Sequence, residues 1–149
     1  MFELVENNVS LLDSPRLARR IRGNMARYEH LPIYKSVYDL NLYFFKLSRG
    51  FPKDFKYGLG QEIRALLTEL LDKIIIANNI QDKVAVLKNG EILVERIKFQ
   101  NRLLHDLGVI NNRGYEFFSR QLVDISKQIE KWRLWAEKGR RESRFLLSQ

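Results

Sequence analysis

Cysteine is missing from the sequence altogether, and histidine nearly so, with His30 and His105 the only two. Without thiols the chain has no disulfide framework, no thiolate metal site and no cysteine nucleophile. Neither histidine has a glutamate three residues ahead of it, which removes the Glu-x-x-His pair of di-iron bundles. Three prolines and eight glycines in 149 residues are too few to punctuate a turn-rich all-β fold. Apolar stretches such as Ile74-Ile75-Ile76-Ala77 fall far short of the roughly 20 residues that cross a bilayer. Met1-Phe2-Glu3-Leu4-Val5-Glu6 carries acid where a signal peptide carries base. These absences lead us to expect a helical, soluble, cytoplasmic protein that holds no metal or cofactor and is not an enzyme.

What the chain does have is apolar residues at helical spacing, with 45% of positions hydrophobic, enough to build a core. Ile33, Val37, Leu40, Phe44 and Leu47 step by four and three across residues 31–49, the seam of a bundle helix. A second stripe, Tyr34, Tyr38, Leu42 and Phe45, lies on an adjacent face. It suits either a wide core face or a contact between copies of the chain. Gly50-Phe51-Pro52 breaks the pattern, because glycine suits the position after a helix and proline opens the next.

The seam Leu59, Ile63, Leu66, Leu70, Ile74 and Ala77 predicts a second helix over residues 59–78, stopped by Asn78-Asn79. Val86, Gly90, Leu93, Ile97, Gln100, Leu104 and Leu107 predict a third over residues 81–107, with Gly90 marking close approach of a neighbour or a kink. Tyr115, Phe118, Leu122, Ile125, Ile129, Trp132 and Ala136 predict a fourth over residues 113–138, ended by Gly139. Four long amphipathic helices with short connections imply an all-α, up-down-up-down four-helix bundle. A helix-turn-helix regulator has shorter helices and tighter turns. Ahead of the bundle, Ser14-Pro15 reads as a helix start, and Leu17, Ile21 and Met25 make one apolar stripe on an arginine-rich helix. The expected organisation is an extension over residues 1–30, the bundle over 31–138 and a basic tail over 139–149.

Charge is concentrated at the two ends. Residues 16–27 hold five arginines and no acid, and residues 131–144 hold six bases against two acids. With a net charge of +8 overall, the remainder is close to neutral. Arginine suits bidentate phosphate contacts, so this clustering reads as a phosphate-binding pattern, or simply as solvated, solubilising ends. The candidate nucleic-acid contacts are Arg16, Arg19, Arg20 and Arg22 at one end and Arg133, Lys138, Arg140, Arg141 and Arg144 at the other. Lys53, Lys56 and Arg64 offer an alternative surface on the bundle itself. Enzyme chemistry has no comparable signal. Gly58-Leu59-Gly60 follows no strand and so is no phosphate-cradling loop, and Asp54, Glu62 and Glu69 are spread as surface charges are.

Several stretches together resemble a known family. Leu31-Pro32-Ile33-Tyr34-Lys35, Tyr38-Asp39-Leu40, Phe51-Pro52-Lys53 and Lys56-Tyr57-Gly58-Leu59-Gly60 occur in that order. Ile74-Ile75-Ile76-Ala77-Asn78, Leu104-His105-Asp106-Leu107, Tyr115, and Ile125-Ser126-Lys127-Gln128 running to Trp132 follow them. The ordered set is similar to the accessory variability determinant (Avd) proteins of diversity-generating retroelements. The Phe-Pro-Lys region is shared with a broader group, the four-helix-bundle proteins encoded by intervening sequences in ribosomal RNA genes. The resemblance implies a four-helix bundle that assembles as a homopentamer, binds RNA and DNA, and partners a reverse transcriptase in mutagenic cDNA synthesis and retrohoming, with no chemistry of its own. Two departures stand out: the thirty residues before Leu31, and a bundle region near neutral where the family leads one to expect a basic body. An oligomeric scaffold with protein partners only, and an orphan RNA-associated bundle of the intervening-sequence type, are the alternative readings.

Overall fold

The computed structural model describes residues 29–149. Among these residues there are four long helices, one short helix and no strand: α1 (Pro32–Ser48), α2 (Lys53–Tyr57), α3 (Leu59–Asn79), α4 (Val84–Asp106) and α5 (Asn112–Leu147). The arginine-rich helix expected after Pro15, with Arg16, Arg19, Arg20 and Arg22, lies outside the described residues.

Local chemistry sets the helix ends. Leu31 is held extended by the proline that follows it, and Pro32 opens α1 in the first helical position. Asn111 caps α5, its side-chain oxygen accepting from the Gly114 amide at 2.8 Å. α4 ends on Gly108 at φ 74, the left-handed conformation that glycine adopts without penalty. The Val109 amide then reaches the Leu104 carbonyl and the Gly108 amide that of His105, which together make a Schellman turn. Between α2 and α3 the backbone passes so close to itself that a Cβ on Gly58 would lie 2.7 Å from the Asp54 carbonyl oxygen, and one on Gly60 2.8 Å from that of Phe55. The Gly58-Leu59-Gly60 pair therefore serves a tight helix–helix junction.

The four long helices form a bundle. α1 packs on α3 and α5, and α4 packs on the same two, so α1 and α4 stand at opposite corners. The seams predicted from spacing supply the core. Val37, Phe44, Ile63, Leu70, Ile74, Ile97, Leu104, Leu122, Ile125 and Ile129 are completely buried. Phe44 stacks on Phe118 at 5.4 Å and meets Phe51 edge-on at 5.9 Å, the favoured geometries for ring pairs. Polar links cross between helices: Asn41 Nδ2 donates to the Leu67 carbonyl at 3.0 Å, Gln100 Nε2 to Glu62 at 3.2 Å, and Gln128 Nε2 to Ser36 at 3.1 Å.

Two sequence expectations need correction. On α4, Leu107 is exposed, and the inner face is completed by Leu87, Val94 and Asn101. Asn101 is fully buried, donating to Ser119 Oγ at 3.0 Å. A single amide at a seam position of this kind fixes which residues face each other across two helices. Gly90 is buried but marks no close approach: a Cβ there would meet Leu70 and Ile129 at ordinary contact distance, 3.8 Å, and α4 runs through it unbroken.

The larger correction concerns Gly139, which does not end the last helix. α5 continues through it to Leu147. Glycine inside a helix costs only about 1 kcal/mol relative to alanine, and no proline follows it here. Among the described residues Gly108 alone takes positive φ, so Gly139 does not turn the chain as a terminating glycine does. Ser143 Oγ also donates to the Gly139 carbonyl at 3.0 Å. The tail expected over 139–149 is thus the end of a 36-residue helix, about 54 Å long at 1.5 Å per residue. It outreaches the 17, 21 and 23 residues of α1, α3 and α4.

Candidate nucleic-acid interface

Each candidate cation has its own surroundings, and these divide the set. Arg64 is a structural clamp. Its Nη1 donates to Ser48 Oγ at 2.8 Å and its Nη2 to the Lys56 carbonyl at 2.9 Å, while the guanidinium lies 5.8 Å from the Phe45 ring centre. One side chain thereby joins α1, α2 and α3. Lys56 is half-buried with its ammonium 5.7 Å from the Tyr57 ring, and Lys53 is exposed in the first turn of α2.

Arg133 is likewise engaged within the protein. Its Nε donates to both oxygens of Glu91, at 2.8 and 3.0 Å, and its Nη1 to Glu137 at 3.0 Å; the side chain is 19% exposed. The Glu91 hydrogen bond, with Glu137 adding to it, raises the guanidinium pKa above its ordinary value against the opposing pull of burial. Arg133→Gln should therefore lower stability by about 1–2 kcal/mol, since among the described residues it leaves the half-buried Glu91 without its cation and Glu137 with only the long 3.9 Å pair to Lys88. It should leave nucleic-acid affinity within twofold of the parent. Urea denaturation and a binding titration on the same preparation check both halves.

The remaining candidates project freely. Lys138, Arg141 and Arg144 are exposed and make no ion pair among the described residues. Arg140 stands 3.8 Å from Asp82, a long pair with both side chains near half-exposed, of the kind that contributes little. These four cations occupy the far end of α5. There an open hollow of about 450 Å³ separates α5 from the α3–α4 turn, with Asp82, Trp135, Gly139, Arg140 and Arg144 among its lining. Leu31 and Pro32 line a second hollow with Trp132 and Trp135, so the start of α1 lies against the same stretch of α5.

Lys83 borders the first hollow but is occupied. Its Nζ donates to the Ala77 and Ile80 carbonyls at 2.6 and 2.5 Å, closing the end of α3, and burial lowers its pKa. At the opposite pole His105, in the last turn of α4, is pinned against the start of α5, with Nε2 2.6 Å from Asn112 Oδ1 and its ring stacked on Tyr115 at 4.4 Å. Next to it Arg102 donates to both oxygens of Asp106 and draws that carboxyl below the usual carboxylate range. His30 is exposed. No group of three or more His, Asp or Glu side chains able to hold a metal ion occurs among the described residues, and no helix there is long and apolar enough to cross a membrane.

The outer stripe of α1 is present as a surface. Tyr38, Leu42 and Phe45 are nearly half exposed, and Tyr34, half-buried, stacks on Tyr38 at 6.1 Å. The sequence reading missed a matching stripe on α4, where Ile92, Phe99 and Leu103 face outward. Their spacing of seven and four is the same signal, masked by a stronger inner seam on that helix. It also missed Trp135, which is 66% exposed.

The structure thus defines a four-helix bundle with unpaired cations at the end of one long helix and apolar stripes on two opposite corners. Residues 31–134 match the sequence model of the bAvd-like family, and the chain belongs to that family. The match spans α1 to α4 and most of α5, and it agrees with the resemblance seen over residues 31–132. No curated protein sequence matches the chain.

Proposed function

We propose that the protein is a non-enzymatic accessory subunit of a diversity-generating retroelement. In this reading it works in the cytoplasm beside a reverse transcriptase, binds RNA and DNA through their phosphates, and assists mutagenic cDNA synthesis and retrohoming. The observation that carries the reading is the bAvd-like match across all four long helices. The unpaired cations Lys138, Arg141 and Arg144 support the nucleic-acid part of it.

The proposed course of the bundle is up-down-up-down, and the cross-helix pairs favour it. Asn41 meets Leu67 while Ser48 meets Arg64, so residue numbers rise on α1 as they fall on α3. On this course the start of α1 and the end of α5 share a pole, in keeping with the hollow shared by Leu31, Pro32, Trp132 and Trp135. Assembly is proposed as a homo-oligomer, a pentamer on the family pattern, which would repeat the basic pole around a ring and add multivalency.

With binding dominated by phosphates, affinity for oligonucleotides of equal length should fall steeply with salt and vary little with base sequence. Fluorescence anisotropy with several sequences at four salt concentrations tests this. A flat salt response, or strong preference for one sequence, would overturn it. Absence of binding at every salt would leave the scaffold reading, which the two apolar stripes favour.

A further inference from the structure

We propose that the hollow between α5 and the α3–α4 turn holds single-stranded nucleic acid, with one unpaired base stacked on Trp135 and the flanking phosphates on Arg140 and Arg144. The proposal rests on the reading that the protein binds nucleic acid. It adds a site, a strand state and a base-contacting residue to that reading.

The lining has the composition that an unpaired nucleotide needs. Trp135, with its ring largely open to solvent, lines the hollow together with Arg140 and Arg144. The small residues Ala136 and Gly139, which also line it, lie between Trp135 and Arg140 along the helix. Gly139 is the informative one. A Cβ built there meets no atom of the described residues within 4 Å, so packing against them does not require glycine, and helix propensity disfavours it. Its effect is to keep the space between the indole and the guanidinium groups clear. A planar ring beside Trp135 can then lie against the helix without meeting a side chain.

Charge points to the same occupant. Among the described residues Asp82 is the one acid lining the hollow, against Arg140, Arg144 and the capped Lys83. Its 3.8 Å pair with Arg140 is weak enough for a phosphate to replace, and until then it holds the guanidinium toward the hollow. Stacking selects the strand state, because a duplex hides the faces of its bases while a single strand presents them. An acidic peptide could satisfy the arginines, and the polyglutamate arm of the test below separates it from a nucleic acid.

The test uses the full chain and 12-nucleotide DNA, single-stranded or as a duplex, followed by anisotropy. Trp135→Ala should weaken single-strand binding about tenfold while changing duplex affinity less than twofold and leaving the salt slope unaltered. Trp135→Phe, which keeps a ring, should retain most of the affinity and covers the case in which the alanine variant disturbs the helix. In a Trp132→Phe background, where Trp135 is the sole indole, single strands should quench its emission and polyglutamate should not. The site is overturned if Trp135→Ala binds single strands as the parent does, if it weakens single strand and duplex equally, or if polyglutamate quenches as strongly. In each of those cases nucleic-acid binding by the parent stands. If the parent binds neither form of DNA, the underlying reading fails and the site with it.

Discussion

Changing Lys138, Arg140, Arg141 and Arg144 together to glutamine should weaken nucleic-acid binding roughly a hundredfold at low salt and flatten the salt slope by about 3.6 for duplex DNA. Each cation seated on a phosphate releases about 0.9 counterions, so removing all four accounts for that slope; the deficit should shrink as salt rises and screens the parent's advantage. The fold should not notice. All four side chains are exposed, and among the described residues only Arg140 has a partner, the long pair with Asp82. Circular dichroism and light scattering should therefore match the parent, and the anisotropy titrations carry the difference. If affinity and slope both survive, the nucleic acid binds elsewhere, with Lys53 and Lys56 on α2 the next surface to remove. Arg64→Gln is a poor probe of that alternative, because the side chain bonds Ser48 and the Lys56 carbonyl and its loss would loosen three helices at once.

The contrast between these cations marks where sequence reading stops. The bundle was legible because burial follows a period: Ile33, Val37, Leu40 and Phe44 on α1, and Phe118, Leu122, Ile125 and Ile129 on α5, are the residues that spacing selects and the structure buries. Availability of a charge has no period. Arg133 looks like its neighbours in the basic stretch, yet it is spent on Glu91, which is 42 positions away in sequence and opposite it in space. Gly139 misled for a related reason. A glycine after a heptad run commonly ends a helix, but it does so by taking positive φ, and nothing in the letters says that Gly108 takes it and Gly139 does not. Asn101 was hidden because a polar residue at a seam position looks like an interruption of the seam until its partner Ser119 is known.

If the proposed homo-oligomer forms through the outer stripe of α1, a glutamate at Leu42 should convert it to monomers while leaving the helix content intact. Leu42 is 46% exposed in the single subunit, on the same outward line as Tyr38, so a carboxylate there is fully solvated until a second copy covers it. Burying that charge without a partner costs several kcal/mol at each contact, more than a contact of moderate size can offset. Tyr38→Glu should act in the same direction. Phe45→Glu is less clean, because Arg64 stands beside that ring and would pair with the new carboxylate. The stripe on α4 makes the test sharper. A subunit with apolar faces on opposite corners, Tyr38 and Leu42 on α1 and Ile92 and Phe99 on α4, is built for head-to-tail contact, which closes as a ring when the rotation per subunit allows it. In that arrangement Phe99→Glu should dissociate the assembly as completely as Leu42→Glu, and mixing the two variants should restore one contact and yield dimers. Light scattering across micromolar concentrations reads all three states. Dissociation by Leu42→Glu alone, with Phe99→Glu still assembled, would mean that α1 meets its own copy in a two-fold dimer and that no ring forms through α4.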